Sequence, residues 1–292
     1  MDEHKAKTEK IAGIVMLIIS VMSFGAVDGF SKMLVDTQSF GQIMLTRYLP
    51  SFLAVLLVAG PGGWKGLFAT RSPSMQILRG LTPILVGGPM VFAVRYLPLA
   101  EATVILFAGP FLVVVFSGIM LGERVSASSW IGVAIGFLAV VVVARPGFDA
   151  LSVYAVFPAT AAVFYALLQL LSRQLGTRGE ETRTTLAWTL LVGTLVSLPL
   201  AVLDWQTPTA WQWLWMAGLG FTFGVGQYFL AKAFALAPAN VLAPFSYFQI
   251  LSAVAFGLIV FHDIPDLWTV TGIVMIMGAG IYVFGRNAPA KG

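Results

Sequence analysis

Cysteine is missing altogether from the 292 residues, and histidine occurs only as His4 and His262. The first absence excludes disulfides, thiolate metal ligands and a cysteine nucleophile, and leaves the redox compartment unassigned. The second, with one imidazole in a tail and the other in a turn, excludes a helical two-histidine metal site. Charge is scarce too: 10% of residues are charged against 58% hydrophobic, and the mean hydropathy is +0.89. No water-soluble surface can be assembled from that mixture. No G-x-x-x-x-G-K-[ST] occurs, since GPGGWKG has the wrong spacing, so the chain has no phosphate-cradling loop for an ATP-driven pump. A potassium-filter sequence is absent as well. Nothing calls for a cofactor or a metal.

What is abundant is the long apolar run. Spans are expected at 11 to 33, 40 to 59, 75 to 95, 100 to 121, 127 to 144, 153 to 173, 184 to 203, 211 to 234, 240 to 261 and 267 to 285. Each is close to the roughly 20 apolar residues that cross a bilayer as a helix. Lipid offers the backbone no hydrogen bonds, so runs of this length must be helices; a barrel needs short alternating segments. The expected fold is an all-α integral membrane protein of ten transmembrane helices. The charged opening, MDEHKAKTEK, leads into an apolar run without an A-x-A-like site, which reads as an uncleaved first span.

Of the 17 Lys and Arg residues, all but Lys32, Arg47, Arg95 and Arg145 are assigned to one side, Arg79 among them. The positive-inside rule then puts both termini in the cytoplasm of a multi-pass inner-membrane protein. These basic residues are spread over loops and tails, with no stripe for nucleic acid. The lipid bilayer and a small-molecule substrate are the expected partners, with the chain acting as a monomer or a homodimer.

The chain also repeats itself. Phe24 and Ala26 recur as Phe164 and Ala166, Glu123 as Asp263, and Gly132 as Gly272, each pair 140 positions apart. Five spans per copy is an odd number, so the second copy must enter the membrane from the opposite face. The expected units are 1–146 and 147–292, two inverted five-helix repeats joined near RPGFDALS. Gly132, Gly136, Gly272, Gly278 and Gly280 on helices 5 and 10 would allow dimer, half-to-half or ordinary bundle contacts.

The stretch from Ala93 to Gly147, with Tyr96, Ala100, Pro110, Gly122, Glu123 and Gly132 in the order span, short turn, span, GER, span, resembles the repeat of the drug/metabolite transporter superfamily, its EamA-like ten-helix branch. The second copy is looser, with Asp263 where the first has Glu123. The overall pattern looks most like the YddG-type amino-acid exporters. The resemblance implies a central cavity lined by helices 1 to 4 and 6 to 9, and alternating access that exports aromatic and other neutral amino acids. A multidrug or other small-metabolite exporter is the alternative. An intramembrane enzyme would need polar groups converging at one interface, and none stand out.

Polar groups at membrane depth are costly, which makes each a functional candidate. Asp28 shares a helix face with Phe24 and Lys32 and is read either as an ammonium or proton site, and hence the coupling candidate, or as a partner of Lys32. Arg47 is read as a carboxylate clamp or as a partner of Asp28 or Glu101; Glu101 itself suits a helix N-terminus. Tyr165, Gln169 and Ser172 form a neutral polar face on helix 6. Gln227 and Tyr228 on helix 8, and Tyr247 and Gln249 on helix 9, extend the set. Tyr48, Tyr96 and Trp188 lie where they could stack on an apolar substrate. Glu123 and Asp263 fall on opposite faces, so no acid–base pair forms; Glu123 is expected beside Arg124 and Asp263 beside His262, each capping or bridging a tight turn.

Overall fold

The computed structural model describes residues 2–121, 127–144 and 151–287, and every regular element among them is helical. In chain order these are α1 (Asp2–Leu34), α2 (Phe40–Leu67), α3 (Pro73–Tyr96), α4 (Leu99–Leu106), α5 (Gly109–Leu121), α6 (Ala127–Ala144), α7 (Leu151–Tyr154), α8 (Val156–Thr177), α9 (Thr182–Leu203), α10 (Ala210–Leu236), α11 (Ala239–Leu242), a 3-10 turn (Ala243–Tyr247), α12 (Phe248–Val260) and α13 (Leu267–Asn287). Seven helical stretches are long and apolar enough to cross a membrane, α4 and α5 counting as one, and three shorter apolar helices fall on α6, α12 and α13. These are the ten expected crossings. Gly122 to Val125, which hold Glu123 and Arg124, and most of the RPGFDALS joint lie outside the described residues.

Two crossings are interrupted, and they are repeat mates. The fourth breaks at Phe107–Ala108 between α4 and α5; the ninth passes through the 3-10 turn Ala243–Tyr247. Pro110 and Pro244 carry no N–H, so neither can donate to the carbonyl one turn before it, and the backbone loosens there. Phe107 and Tyr247, 140 positions apart, meet with ring centroids 5.6 Å apart, so the two breaks face each other. The second crossing also differs from expectation. Gly60, at φ 64°, breaks the helix where the span was expected to end, but helix resumes at Pro61 and continues to Leu67.

The repeats do not form two separate bundles. Helix α1 packs mainly on α10 and α12, while α8, its repeat mate, packs on α3 and on α4 and α5, the mates of α10 and α12. Helix α2 pairs with its own mate α9, and α6 with its own mate α13. Exchanging the two copies therefore leaves the contact pattern unchanged. It also sorts eight crossings into two mixed trios, α1/α10/α12 and α3/α8/α4–α5, bridged by the α2–α9 pair. The Gly-rich helices α6 and α13 thus make the half-to-half contact, with Gly132 and Gly272 buried.

Polar ties show the inversion directly. At the start of α2, Gln42 Nε2 donates to the Gln206 carbonyl and the Gln206 N–H donates back to Gln42 Oε1, both at 2.7 Å, so the α1–α2 link lies beside the α9–α10 link. At the far end of α2, Glu180 accepts from Thr70 Oγ1 at 2.8 Å and from the Arg71 N–H at 3.0 Å, so the α2–α3 link lies beside the α8–α9 link. The α1–α2 link and its repeat mate, the α8–α9 link, are thus at opposite ends. We call these the Thr37 end and the Thr70 end. Gly13 of α1 meets Ala233 of α10 and Ala237 just after it at the Thr70 end, where α1 begins.

Gln42 is fully buried, and its amide joins the two links while also bonding Gln38 and Ser39 beside it. Gln42→Met keeps the volume and removes these bonds. The expected loss is about 1–3 kcal/mol, read as a lower unfolding midpoint in detergent, whereas an unchanged midpoint would show that the tie carries no stability.

Candidate functional site

The bundle centre holds a cavity of about 40 Å³ lined by Phe24, Val27 and Asp28 of α1, Arg47 of α2, Pro83, Val86, Gly87 and Met90 of α3, Leu106 of α4, Tyr165 and Leu168 of α8, Phe223 and Gln227 of α10, and Gln249 of α12. Lining residues come from seven crossings and none from α6 or α13. The volume suits a few waters. It is far below the roughly 300–1,000 Å³ typical of small-molecule sites, so the cavity is contracted.

The walls carry repeat mates. Pro83 and Phe223, Gly87 and Gln227, and Asp28 and Leu168 are all 140 positions apart and all face this space, which puts it on the pseudo-two-fold axis. The mates differ in chemistry. Asp28 accepts from Gln249 Nε2 at 3.2 Å. Arg47 donates through Nη2 to Ser31 Oγ at 2.7 Å, and Ser31 passes its own proton to the Val27 carbonyl. The cation has room because Gly87 has no side chain: a Cβ there would collide with Arg47 Nη1. Asp28 and Arg47 are buried on one cavity without forming an ion pair, and Arg47 Nε, Gln227 Oε1 and Gln249 Oε1 have no partner.

Lys32 does not pair with Asp28. It reaches Asp263, which follows α12, and it lies 4.6 Å from the Phe261 ring centroid. His262, at φ 55°, turns the chain so that the Asp263 N–H caps Gly257 and its carboxylate faces Lys32 rather than staying beside His262. Glu101 sits in the first turn of α4, as expected.

Other sequence candidates scatter. Tyr165 and Ser172 mark the ends of the expected α8 face and Gln169 its centre; the Tyr165 hydroxyl is buried beside Gln169 and Ser246. Tyr48 is fully buried edge-on to Phe223, 4.7 Å between centroids, behind the cavity wall. Tyr247 packs on Phe107 and Phe111 at the crossing breaks. Trp188 donates to the Phe68 carbonyl at 3.3 Å near the Thr70 end. Tyr96 is half exposed and stacks on Tyr154 at 4.3 Å. Tyr228 lies in lateral crevices between α2, α9 and α10.

One assignment needs correcting. Arg79, counted with the loop cations, is fully buried in α3, where its Nε donates to Ser172 Oγ at 3.1 Å and its Nη1 to Thr189. Proximity to the span end hid it. The helical spacing Arg79, Pro83, Gly87, Met90 places it on the cavity-lining face of α3, and that spacing was the available signal.

The two ends differ. At the Thr70 end Gly176 of α8 presses on Ala235 of α10, where a Cβ on the glycine would lie 2.8 Å from the Ala235 Cα, and Arg173 Nη1 donates to the Phe234 carbonyl at 3.2 Å. The repeat mates of Gly176 and Ala235 are Asp36 and Arg95 at the Thr37 end, an exposed ion pair at 3.8 Å beside a hollow of about 440 Å³. At this repeat position the trios are thus in close backbone contact at the Thr70 end and meet only through an exposed ion pair at the Thr37 end.

The EamA-like transporter family model matches residues 11–145 and 153–285. Among curated proteins, the chain is 25% identical over 273 residues to an S-adenosylmethionine uptake transporter of Rickettsia conorii, covering 94% of this chain and 92% of that one. It is 28% identical over 272 residues to the pseudopaline exporter CntI of Pseudomonas aeruginosa (92% and 95%), and 26% identical over 243 residues to a riboflavin transporter of Vibrio cholerae (82% and 81%). A solved crystal structure aligns over 99% of both chains with a TM-score of 0.65 at 18% identity, a likeness of fold. These relatives carry several classes of metabolite and do not single out the YddG-type amino-acid exporters.

Gly87→Ala tests the site geometry. The obstructed atom is the tip of a flexible side chain, so the fold should survive with an unchanged unfolding midpoint. The guanidinium must swing away, and transport should fall about tenfold or more, matching Arg47→Gln; wild-type transport in Gly87→Ala would show that the position of Arg47 is immaterial.

Proposed function

Because the chain belongs to the EamA-like transporter family, we propose that it is a secondary transporter that exports aromatic and other neutral amino acids from the cytoplasm by alternating access. The observation that carries this reading is the unpaired meeting of Asp28 and Arg47 on one buried cavity. An α-amino acid presents one ammonium and one carboxylate. Asp28 accepts the first and Arg47 clamps the second through its planar fork. Gln227, Gln249 and Tyr165 offer further hydrogen bonds, and Phe24, Met90 and Phe223 supply apolar walls. The named substrate of one group of relatives, S-adenosylmethionine, is a methionine derivative, which fits such a head-group site.

The two mixed trios rock about the α2–α9 pair and open one end as the other closes. The Lys and Arg distribution supports a cytoplasmic Thr70 end, where α1 begins and α13 ends; the Thr37 end then faces outward. The repeat units 1–146 and 147–292 supply the symmetry, and the trios that mix them supply the moving bodies. A second reading has support in the riboflavin transporter relative: a metabolite without an amino-acid head group, held by the aromatic walls.

Counterflow in liposomes with labelled amino acids, S-adenosylmethionine and riboflavin, with and without a pH gradient, distinguishes the readings. Amino-acid exchange is expected, and riboflavin flux without any amino-acid exchange would overturn it. Because Asp28 holds the cargo ammonium, Asp28→Asn should lower exchange and gradient-driven flux together; loss of gradient-driven flux with exchange spared would make Asp28 a proton carrier and not the ammonium site.

A further inference from the structure

Arg79 is a buried cation without a counter-ion. Its guanidinium is fully enclosed, its two hydrogen bonds go to the neutral hydroxyls of Ser172 and Thr189, its Nη2 has no partner, and no ion pair among the described residues involves it. The two hydroxyls spend their own protons on the Leu168 and Thr185 carbonyls, at 2.6 and 2.7 Å, so they meet the cation only with lone pairs. Its backbone is also provided for: Pro83 cannot donate to the Arg79 carbonyl, and Thr82 Oγ1 does so at 2.7 Å. An arginine held in place at membrane depth, lacking an anion, is an expensive arrangement for packing alone.

Its surroundings line up with the central cavity. Arg79, Pro83 and Gly87 follow one another at i, i+4 on α3, and Pro83 and Gly87 line the cavity. Opposite, on α8, Ser172, Gln169 and Tyr165 step back toward the same cavity, with Gln169 buried beside the Tyr165 hydroxyl. Eight residues along α3 separate Arg79 from Gly87, where Arg47 sits, a rise of about 12 Å. From Arg79 toward the Thr70 end, Gln76 continues the stripe to Glu180 and Thr185.

We propose that Arg79 is a second carboxylate site, which captures the acid group of the cargo on the Thr70 side of the cavity and passes it along the Gln169–Tyr165 face to Arg47. This rests on the cargo carrying a carboxylate, as in the reading above. The hydroxyls of Ser172 and Thr189 hold the guanidinium as weak stand-ins that a carboxylate displaces, because a charge-assisted bidentate pair is stronger than bonds to neutral oxygens.

The test separates this site from Arg47 and from the identity of the cargo. The full chain in detergent is titrated with 3-phenylpropionate, a carboxylate without an amine, and followed by tryptophan fluorescence. In an Arg47→Gln background one carboxylate site should remain, and adding Arg79→Gln should weaken it about tenfold or more, with Arg79→Lys restoring part. No binding in Arg47→Gln, or equal binding in the double variant, overturns the proposal. Should Arg79→Gln fail to fold, Ser172→Ala with Thr189→Val decides. Releasing the guanidinium should tighten 3-phenylpropionate binding about threefold, and unchanged or weaker binding overturns it. L-phenylalanine counterflow is run in parallel: its absence in the wild type counts against the amino-acid reading alone.

Discussion

In a hydrocarbon environment a helix satisfies its own backbone but gains little from apolar attraction to its neighbours, so the bundle depends on close packing and on a few buried polar ties. Here that packing is symmetric under exchange of the two repeats. Each main contact, such as α1 on α10, is matched by its mate, α3 on α8, while α2–α9 and α6–α13 map onto themselves. In the proposed cycle a structure built this way packs its trios in two equivalent ways, differing in which end is pressed together. Gly176 against Ala235 at one end and the loose Asp36–Arg95 pair at the other are the same positions of the repeat in two different arrangements.

The chemistry breaks this symmetry. Each wall residue of the central cavity has a mate 140 positions away, yet Asp28 faces Leu168 and Gln227 faces Gly87. In the proposed transport cycle the symmetric scaffold supplies the two access states, and the asymmetric side chains supply a site of fixed polarity, negative on α1 and positive on α2. Arg79, whose mate is Leu219, adds a second positive level nearer the Thr70 end. Repetition thus explains the movement, and divergence explains the recognition.

Much of this was legible from the sequence. Ten apolar runs, the offset of 140 residues and the odd number of crossings per copy give the helical fold and its inversion without coordinates, because each follows from the cost of bare backbone in lipid. Asp28 and Arg47 stood out for the same reason. Other features were hidden because they depend on which helix faces which. Residue patterns within one helix do not reveal that Lys32 meets Asp263 across 231 positions, that Gly87 makes the space for Arg47, or that Tyr96 stacks at the rim instead of lining the cavity. The interruption of the fourth and ninth crossings was foreshadowed by Pro110 and Pro244, but proline alone does not distinguish a kink from a break. Arg79 was misassigned because a cation six residues into a helix looks like an interfacial one until its neighbours are known.

The central claim is that one set of repeat positions packs at either end in turn. The chain lacks cysteine, so a protein carrying only Asp36→Cys and Arg95→Cys can report the Thr37 end by mild oxidation in membranes, with no side chain forced into the Gly176–Ala235 contact. Little disulfide is expected at rest, and its yield should rise when cargo is present. A yield that cargo leaves unchanged would contradict alternating closure.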